Sequence, residues 1–285
     1  MELALAIELD GLQNSVGVAD RSGKVLDSEQ VATSRAGMVE LSDLRPALDR
    51  LRVRSGRWDG EPVVGGVSIG VGPSLIRPSA DAPSPAAELA AELSEHLGIP
   101  VAADDIGRAF TLAEGWLGAA KGVDNFATIR IDEVVSGGIV LDGRLLDGGL
   151  GGAGRIGHVI VRPDGRRCSC GSRGCLEAEV SVSSIEAWTG RPLTEPGYDH
   201  MRQVGRHVGR AAAMMANLLD LRLIVCGGRV AREYASTMFL AAQDELDSSC
   251  QLSFSRGARI VSAKTPEPSG LVGAAALGWR ELARE

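Results

Sequence analysis

The sequence lacks any long hydrophobic run. No stretch of its 285 residues approaches the roughly 18 to 20 consecutive apolar residues that a membrane-spanning helix needs. The first residues, MELALAIELDG, also lack the basic start and the cleavage site of a signal peptide. We therefore expect a cytoplasmic protein that makes no membrane contact.

Basic clusters are absent as well. The formal net charge is −7 and no run of Lys or Arg stands out, so the chain has no positive footprint for a phosphate backbone. We expect no nucleic-acid binding by this chain alone. Its length is enough to bury a sizeable core in one large or two medium domains, and no low-complexity segment or linker interrupts it.

Cysteine is sparse, with five residues, yet three of them are concentrated in the stretch GHVIVRPDGRRCSCGSRGC. One imidazole and three thiols form a ligand set typical of tetrahedral zinc, supplied by His158, Cys168, Cys170 and Cys175. Four protein ligands leave no position for a reactive water, so the predicted zinc is structural. The alternatives are ordinary buried thiols and a disulfide, which a reducing cytoplasm disfavours. Cys226 and Cys250 stand apart and are predicted to be core residues.

Hydrophobic patterning predicts strands mixed with crossover helices, which is typical of α/β layers. Strands are predicted over residues 4–7, 16–19, 63–71, 100–103, 126–131, 138–141 and 223–226, with a further strand from residue 25. Helices are predicted over residues 85–97, 107–120 and 204–219. Two such blocks meet near Asp105 and predict two lobes with a cleft. The N-terminal lobe is residues 1–106, joined by a C-terminal helix at 270–285, and the C-terminal lobe is residues 107–269 with the zinc loop at 158–175.

The segment from Gly143 to Glu177 resembles the signature of the ROK family (repressor, open reading frame, kinase), which contains sugar kinases and sugar-responsive regulators. The stretches DGLQNSVGVAD, VAADDIGRAF and LIVCGGRV fall where that family places its first phosphate loop, its catalytic aspartate and its adenosine loop. The resemblance spans nearly the entire chain. It implies an actin-like, ribonuclease H-like two-lobed ATPase fold with a central cleft, and a homodimer.

The resemblance assigns roles to several side chains. Asp105 occupies the place of the general base for the sugar hydroxyl, and Asp104 replaces the family's asparagine. His158 and Glu177 match positions that contact sugar hydroxyls. A simpler alternative is that Asp104 and Asp105 only cap the helix that follows.

The nucleotide positions are degenerate. The family's first phosphate loop, Asp-x-Gly-Gly-Thr-Lys, is replaced by residues 8–13, in which Asp10 adds a carboxylate, Leu12 lacks a hydroxyl and Gln13 lacks a charge. The Gly-Thr-Gly turn of the second loop has become residues 132–134, which supply two carboxylates and a β-branched side chain. Two anions about 4 Å apart repel by roughly 1 kcal/mol in water and by more in a partly desolvated cleft. We therefore expect ATP and Mg²⁺ to bind poorly.

Two further positions bear on what the cleft binds. Gly227 and Gly228 form a glycine pair at the adenosine position, although a Gly-Gly turn after a buried strand is common. Arg155 replaces a glutamate that accepts hydrogen bonds from the sugar in the family, whereas a guanidinium can only donate. Arg155 is expected to pair with Asp104, Asp105 or Glu177, to hold an anionic ligand such as a sugar phosphate, or to point into solvent.

These departures predict a kinase-dead, sugar-sensing regulatory protein of the ROK family that binds a sugar or sugar-phosphate effector, with Asp105 present but unused. One alternative is an ATP-dependent hexose or N-acylhexosamine kinase with divergent phosphate loops, and another is a partner-binding module without a small-molecule ligand. Regulators of the family carry an N-terminal winged helix-turn-helix, whereas this chain begins at the first strand of the kinase-like lobe. We therefore expect the effector domain of a longer regulator or a stand-alone relative.

Overall fold

The computed structural model describes residues 1–11, 14–31, 41–54, 56, 59–70 and 84–283. The strands in these ranges are β1 (Glu2–Leu9), β2 (Asn14–Asp20), β3 (Val25–Val31), β4 (Glu61–Ile69), β5 (Val101–Asp105), β6 (Phe126–Ile131), β7 (Val135–Leu141), β8 (Arg144–Leu145), β9 (Leu223–Gly227) and β10 (Arg259–Ser262). The helices are α1 (Leu41–Val53), α2 (Pro85–Leu97), α3 (Ile106–Trp116), α4 (Leu176–Val180), α5 (Val182–Thr189), α6 (Tyr198–Leu219), α7 (Arg229–Ser249) and α8 (Ser269–Leu282). A 3₁₀ turn covers Ile156–His158.

The chain divides into two compact units. The first unit comprises Met1–Leu117, Gly148–Gly152 and Thr265–Glu285, and the second comprises Gly118–Asp147 and Ala153–Lys264. The predicted boundary at residue 106 lies earlier than the observed one because helix α3 packs against α8, β4 and β5 and thus belongs to the first unit. That packing joins segments far apart in sequence, so local patterning gives no signal for it.

Both units contain a five-stranded sheet with the same topology. The first sheet has the order β3-β2-β1-β4-β5 and the second has the order β10-β9-β6-β7-β8. In each sheet the first three strands in sequence pair antiparallel, and the next two continue the sheet in parallel from the first of them. The turn between β1 and β2 is therefore the topological equivalent of the turn between β6 and β7.

Strand β1 is apolar on both faces, as expected for a strand covered on both sides. Leu3, Leu5 and Ile7 lie on one face in a cluster with residues of α1 and α2, whereas Ala4 and Ala6 lie on the other face in a cluster with α8. Alternation with a period of two places large side chains on one face and small ones on the other. The small side chains allow helix α8 to lie close to the sheet.

The contact between α8 and β4 is made backbone to backbone. A Cβ atom added at Gly66 of β4 would lie 1.8 Å from the carbonyl oxygen of Ala274 in α8. Residue 66 must therefore be glycine for α8 to sit where it does. This helix completes the first unit from the far end of the chain.

The core of the second unit lies between its sheet and helices α4 to α7. It includes Ile129, Ile131 and Ile224 from the central strands and Val204 and Val208 from α6, all fully buried. Cys226 and Cys250 are also buried, as predicted. Among the helices in the described ranges, none combines the length and hydropathy of a membrane-spanning segment.

Candidate functional site

Asp105 lies at the junction of β5 and α3. It is the N-cap residue of α3, and its Oδ1 accepts a hydrogen bond of 2.7 Å from the backbone N–H of Gly107. The residue is only 8% exposed. The capping role that the sequence allowed as an alternative is thus present, and it fixes the carboxylate at the carboxyl end of a parallel strand, where α/β proteins commonly bind ligands.

The charge of the neighbouring Asp104 is balanced by an arginine in the first turn of α3. The Nε of Arg108 lies 2.8 Å from each carboxylate oxygen of Asp104, and Arg108 is buried. The two residues are four apart in sequence, so the contact joins the end of β5 to the first turn of α3. Replacement of the family's neutral asparagine by Asp104 therefore adds no uncompensated charge beside Asp105.

The turn after β6 is balanced in a similar way, by residues from two other places in the second unit. Asp132 accepts a hydrogen bond of 2.7 Å from the backbone N–H of Arg229 at its Oδ1, and its Oδ2 lies 3.0 Å from the Nε of Arg130. Glu133 accepts a hydrogen bond of 2.8 Å from the Nη1 of Arg229. Both carboxylates in this turn are therefore paired with arginine, which the prediction of poor ATP binding did not take into account.

Gly228 brings the start of α7 close to this turn. It has a positive φ of 93°, and a Cβ atom there would lie 2.4 Å from the carbonyl oxygen of Ile131. The glycine pair that ends β9 thus permits a backbone approach to the end of β6 that a larger residue would block. In the first unit, the equivalent turn contains Gly11 with a φ of +85° and open space at its Cβ position. Leu12 and Gln13 lie outside the described residues.

The zinc-ligand prediction falls on a single compact cluster. The ligand atoms of His158, Cys168, Cys170 and Cys175 all lie within 4.8 Å of one another, and the cysteines are not joined in a disulfide. The Nδ1 of His158 lies 3.6 Å from the Sγ of Cys168, and the Sγ atoms of Cys170 and Cys175 lie 3.7 Å apart. Ligands at about 2.0 and 2.3 Å from a tetrahedral ion would be about 3.5 Å (N to S) and 3.8 Å (S to S) apart. The cluster therefore fits zinc.

The thiols of the cluster differ in environment. A hydrogen bond from the backbone of Ser172 lowers the pKa of the exposed Cys170 thiol. Burial raises the pKa of Cys175 to about 12. A cation among these sulfur atoms would favour the thiolate form of both, because only the thiolate is a good metal ligand.

Glu177 lies against the same cluster at the start of α4. Its Oε2 accepts from the backbone N–H of Val135 at 3.2 Å, and its Oε1 accepts from the Ser169 hydroxyl at 3.2 Å and lies 4.0 Å from the Sγ of Cys168. Within the second unit the structure therefore brings together His158 and Glu177, the two residues that the resemblance assigns to sugar hydroxyls.

Arg155 precedes the 3₁₀ turn and lines a cavity of about 750 Å³ whose other walls are mostly apolar, including Ile139, Met214 and Leu218. Arg155 forms no ion pair with a described residue of its own unit, Glu177 included. Of the alternatives for Arg155, pairing with Glu177 is not observed, since that carboxylate is held by Val135 and Ser169 instead.

Sequence reasoning missed the balancing arginines. Arg108 could have been found, because it lies four residues after Asp104. Arg229 could not, because it is separated from Asp132 by 97 residues in sequence. A third arginine, Arg166, pairs with the buried Glu179 beside the zinc-ligand cluster.

Two sheets of one topology, each extended by parallel strands, define an α/β protein of the actin-like class. The chain belongs to the ROK family, whose sequence model matches residues 4–281. The crystal structure of a ROK hexokinase from Thermus thermophilus is similar with a TM-score of 0.83 at 25% identity, and the match covers 99% of this chain and 100% of that one.

Two relatives indicate different functions. N-acetylmannosamine kinase of Haemophilus influenzae (strain PittEE) is 30% identical over 295 residues, which is 95% of this chain and 93% of the kinase. The DNA-binding transcriptional repressor Mlc of Escherichia coli (strain K12) is 31% identical over 208 residues, which is 64% of this chain and 51% of the repressor. The match thus spans about half the length of the repressor.

These relatives correct the predicted function. The prediction of a kinase-dead regulator is wrong. The Haemophilus relative, which is matched over nearly its whole length, is a kinase by name, and so is the similar hexokinase structure. The physical reason for the error is that the added carboxylates were judged without their arginine partners. Homodimer formation and cytoplasmic location stay predictions from the sequence.

Proposed function

We propose that the protein is an ATP-dependent kinase of hexoses or N-acylhexosamines. The observation that carries the proposal is charge balance. Asp132 and Glu133, the acidic substitutions in the second phosphate loop, each have an arginine partner within 3.0 Å, as does Asp104 beside the proposed base. Paired carboxylates repel a polyphosphate far less than unpaired ones do, so the carboxylates of this loop are a weak obstacle to the binding of ATP as the phosphoryl donor.

In the proposed reaction, Asp105 is the general base. A hydroxyl oxygen of the sugar attacks the γ-phosphorus, the bond from that phosphorus to the β–γ bridging oxygen breaks, and ADP leaves. The hydroxyl proton passes to the Asp105 carboxylate. Capping of α3 holds this carboxylate in place, and Arg108 neutralises the neighbouring Asp104. Positioning and charge neutralisation supply most of the rate in phosphoryl transfer.

His158 and Glu177 are proposed to bind sugar hydroxyls. The Nδ1 of His158 is the ring nitrogen that lies beside the thiol of Cys168, so a metal bond through Nδ1 would leave Nε2 for a ligand. Glu177 is anchored by Val135 and Ser169, which fixes its carboxylate for hydrogen bonding. Arg155, which replaces an acceptor in the family pattern, is proposed to favour a substituent that accepts hydrogen bonds, such as an N-acyl carbonyl.

We also propose one structural zinc ion per chain on the four-residue cluster. Bound zinc would tie the loop of Cys168 and Cys170 to His158 and to Cys175, and would thereby hold the two sugar-contacting residues. Elemental analysis of the purified protein should find one equivalent of zinc. Protein with far less zinc and unchanged thermal stability would exclude this site.

The kinase proposal is tested by measuring ADP release with a coupled assay across hexoses and N-acetylhexosamines, at millimolar ATP and Mg²⁺. We expect turnover within the usual enzyme range of roughly 1 to 1000 per second for at least one of these sugars. ATP hydrolysis without sugar serves as the control. Rates no higher than that control with every sugar would overturn the proposal.

A further inference from the structure

Glu179 is a fully buried carboxylate for which the proposed reaction has no use. It lies in α4, the short helix that follows the ligand Cys175 and carries Glu177, and it is 0% exposed. Its Oε1 accepts a hydrogen bond of 2.7 Å from the backbone N–H of Arg166, and its Oε2 accepts another from the Nη1 of the same residue. One side chain thus binds both the backbone and the guanidinium of a single loop residue.

The loop is shaped to fit this carboxylate. A Cβ atom at Gly165 would lie 2.2 Å from the Oε1 of Glu179 and 2.7 Å from the Cα of Gly174, so only glycine fits there. The backbone N–H of Gly174 in turn donates to the carbonyl of Arg166 at 2.8 Å. The loop from residue 165 to residue 174 is therefore folded around Glu179, and it carries Cys168 and Cys170.

Arg166 is held on its other side as well. Its guanidinium carbon lies 4.8 Å from the ring centroid of Trp188, which is within the range of a cation–π contact. By contrast, the next residue, Arg167, is exposed and has no side-chain partner among the described residues; its only specific contact is a backbone bridge to Arg173. The loop thus has one anchored arginine beside one that is free.

We infer that Glu179 and Arg166 form a clamp that positions the zinc ligands of the loop against α4, and with them Glu177. The inference rests on the proposed zinc site and the proposed kinase function, and both residues act as positioning residues. Side chains that hold metal ligands in place contribute to metal affinity because the site is then organised before the ion arrives. Since Glu177 and Cys175 lie on the same short helix, loosening the loop should weaken sugar binding along with zinc binding.

The test compares Glu179→Gln and Arg166→Lys with the control Arg167→Lys. Glutamine keeps the size of Glu179 and one acceptor but loses the charge, and lysine lacks the planar guanidinium that contacts both Glu179 and the Trp188 ring. Zinc affinity is measured by competition with a chelator, and the ligand geometry by the visible spectrum of the cobalt-substituted protein. KM for the sugar and kcat are measured on the zinc-loaded protein.

We expect zinc affinity to fall by about 10- to 100-fold in both clamp variants, and to stay within about twofold of the wild type in the control. KM for the sugar should rise while kcat changes little, and the cobalt spectrum should depart from that of the wild type. Unchanged zinc affinity in the clamp variants would overturn the inference, as would an equal loss in the control.

Folding is checked by thermal unfolding of each variant in excess zinc. Arg166 is partly exposed, so Arg166→Lys is expected to fold. Zinc affinity lost only together with the whole fold in both variants would assign the pair to general stability and would overturn the clamp. A wild-type protein that binds zinc but phosphorylates no sugar would refute the kinase proposal and leave the zinc measurements decisive for the clamp.

Discussion

Two strand ends in this molecule carry adjacent carboxylates, and they balance the charge in different ways. Asp104 and Asp105 end β5, and the balancing Arg108 lies in the first turn of α3, four residues after Asp104. Asp132 and Glu133 follow β6, and their partners are Arg130 on the same strand and Arg229 at the start of α7, 97 residues from Asp132. The comparison shows that the effect of an acidic substitution on phosphate binding can be judged only when the charged partners of the new carboxylate are known.

The strongest test of the first strand end is Asp105→Asn. Asparagine caps a helix about as well as aspartate, so the start of α3 should be retained, while the base is lost. We expect kcat to fall by about 10²- to 10⁴-fold, measured by coupled ADP release alongside circular dichroism. Asp104→Asn is the matched control and should lose far less. Equal losses in the two variants would show that Asp105 is not the base.

Removing the local partner should cost stability. In Arg108→Ala, Asp104 loses the guanidinium that contacts both of its oxygens, in a place where Arg108 is buried. We expect the free energy of unfolding to fall by about 3 kcal/mol, measured by urea denaturation. Arg50→Ala removes an exposed arginine that binds Glu29 in the same unit, and should change it by less than about 1 kcal/mol. Similar values for both variants would contradict the distinction.

His207 provides a contrast to the paired side chains at the two strand ends, because it is buried without a hydrogen-bond partner among the described residues. Neither ring nitrogen of His207 has a hydrogen-bond partner among the described residues, and burial lowers its pKa from 6.5 to about 4. Because the unfolded chain binds the proton more readily, stability is retained above pH 6.5 and is lost as the pH falls towards 4. Between pH 7 and pH 5 this loss should be about 2 kcal/mol. It should vanish in His207→Gln and persist in His96→Gln, as measured by urea denaturation at both pH values.

Removing Arg229, the partner that is distant in sequence, should have the smallest effect on stability but a measurable effect on KM for ATP. Glu133 and Arg229 are 44% and 41% exposed, so Arg229→Ala should change the free energy of unfolding by less than about 1 kcal/mol. It leaves the Glu133 carboxylate unbalanced, and KM for ATP should rise by about fivefold at low salt and less at high salt. The double variant Glu133→Ala/Arg229→Ala should recover most of the loss. A KM that does not respond to either variant would place ATP elsewhere.

The features that the sequence predicted are those encoded locally. The four residues of the proposed zinc site were predicted to lie together because they fall within one short segment, and α2 was delimited by Ser84, which caps it, and by Gly98, which ends it in a left-handed conformation. Strand β6 was predicted with its observed bounds because its residues, FATIRI, are mostly apolar or β-branched and are followed at once by two acidic residues. The Pro- and Ser-rich stretch from residue 73 to residue 83, for which the sequence predicts a loop, lies outside the described residues.

What the sequence did not predict depends on distant packing or on weak local signals. Helix α1 contains Pro46 in its interior, a residue that usually ends a helix, so its pattern is obscured. Helix α6 starts at Tyr198, ahead of the predicted residue 204. The prediction began too late because the first turns are mostly polar and show little apolar periodicity. The role of Arg229 depends on β9 lying beside β6, which no local pattern reveals.

Helix α8 sets the order in which the chain can fold during synthesis. It lies against Ala4 and Ala6 of β1 and touches β4 at Gly66, but its residues follow the whole of the second unit in sequence. At ~5–20 residues per second, a ribosome needs about 7 to 30 s to travel from Leu117 to Thr265. For that interval the nascent first sheet presents an uncovered apolar face, while the second unit can already mature. The step that ends this vulnerable period is therefore the emergence of Ser269–Leu282.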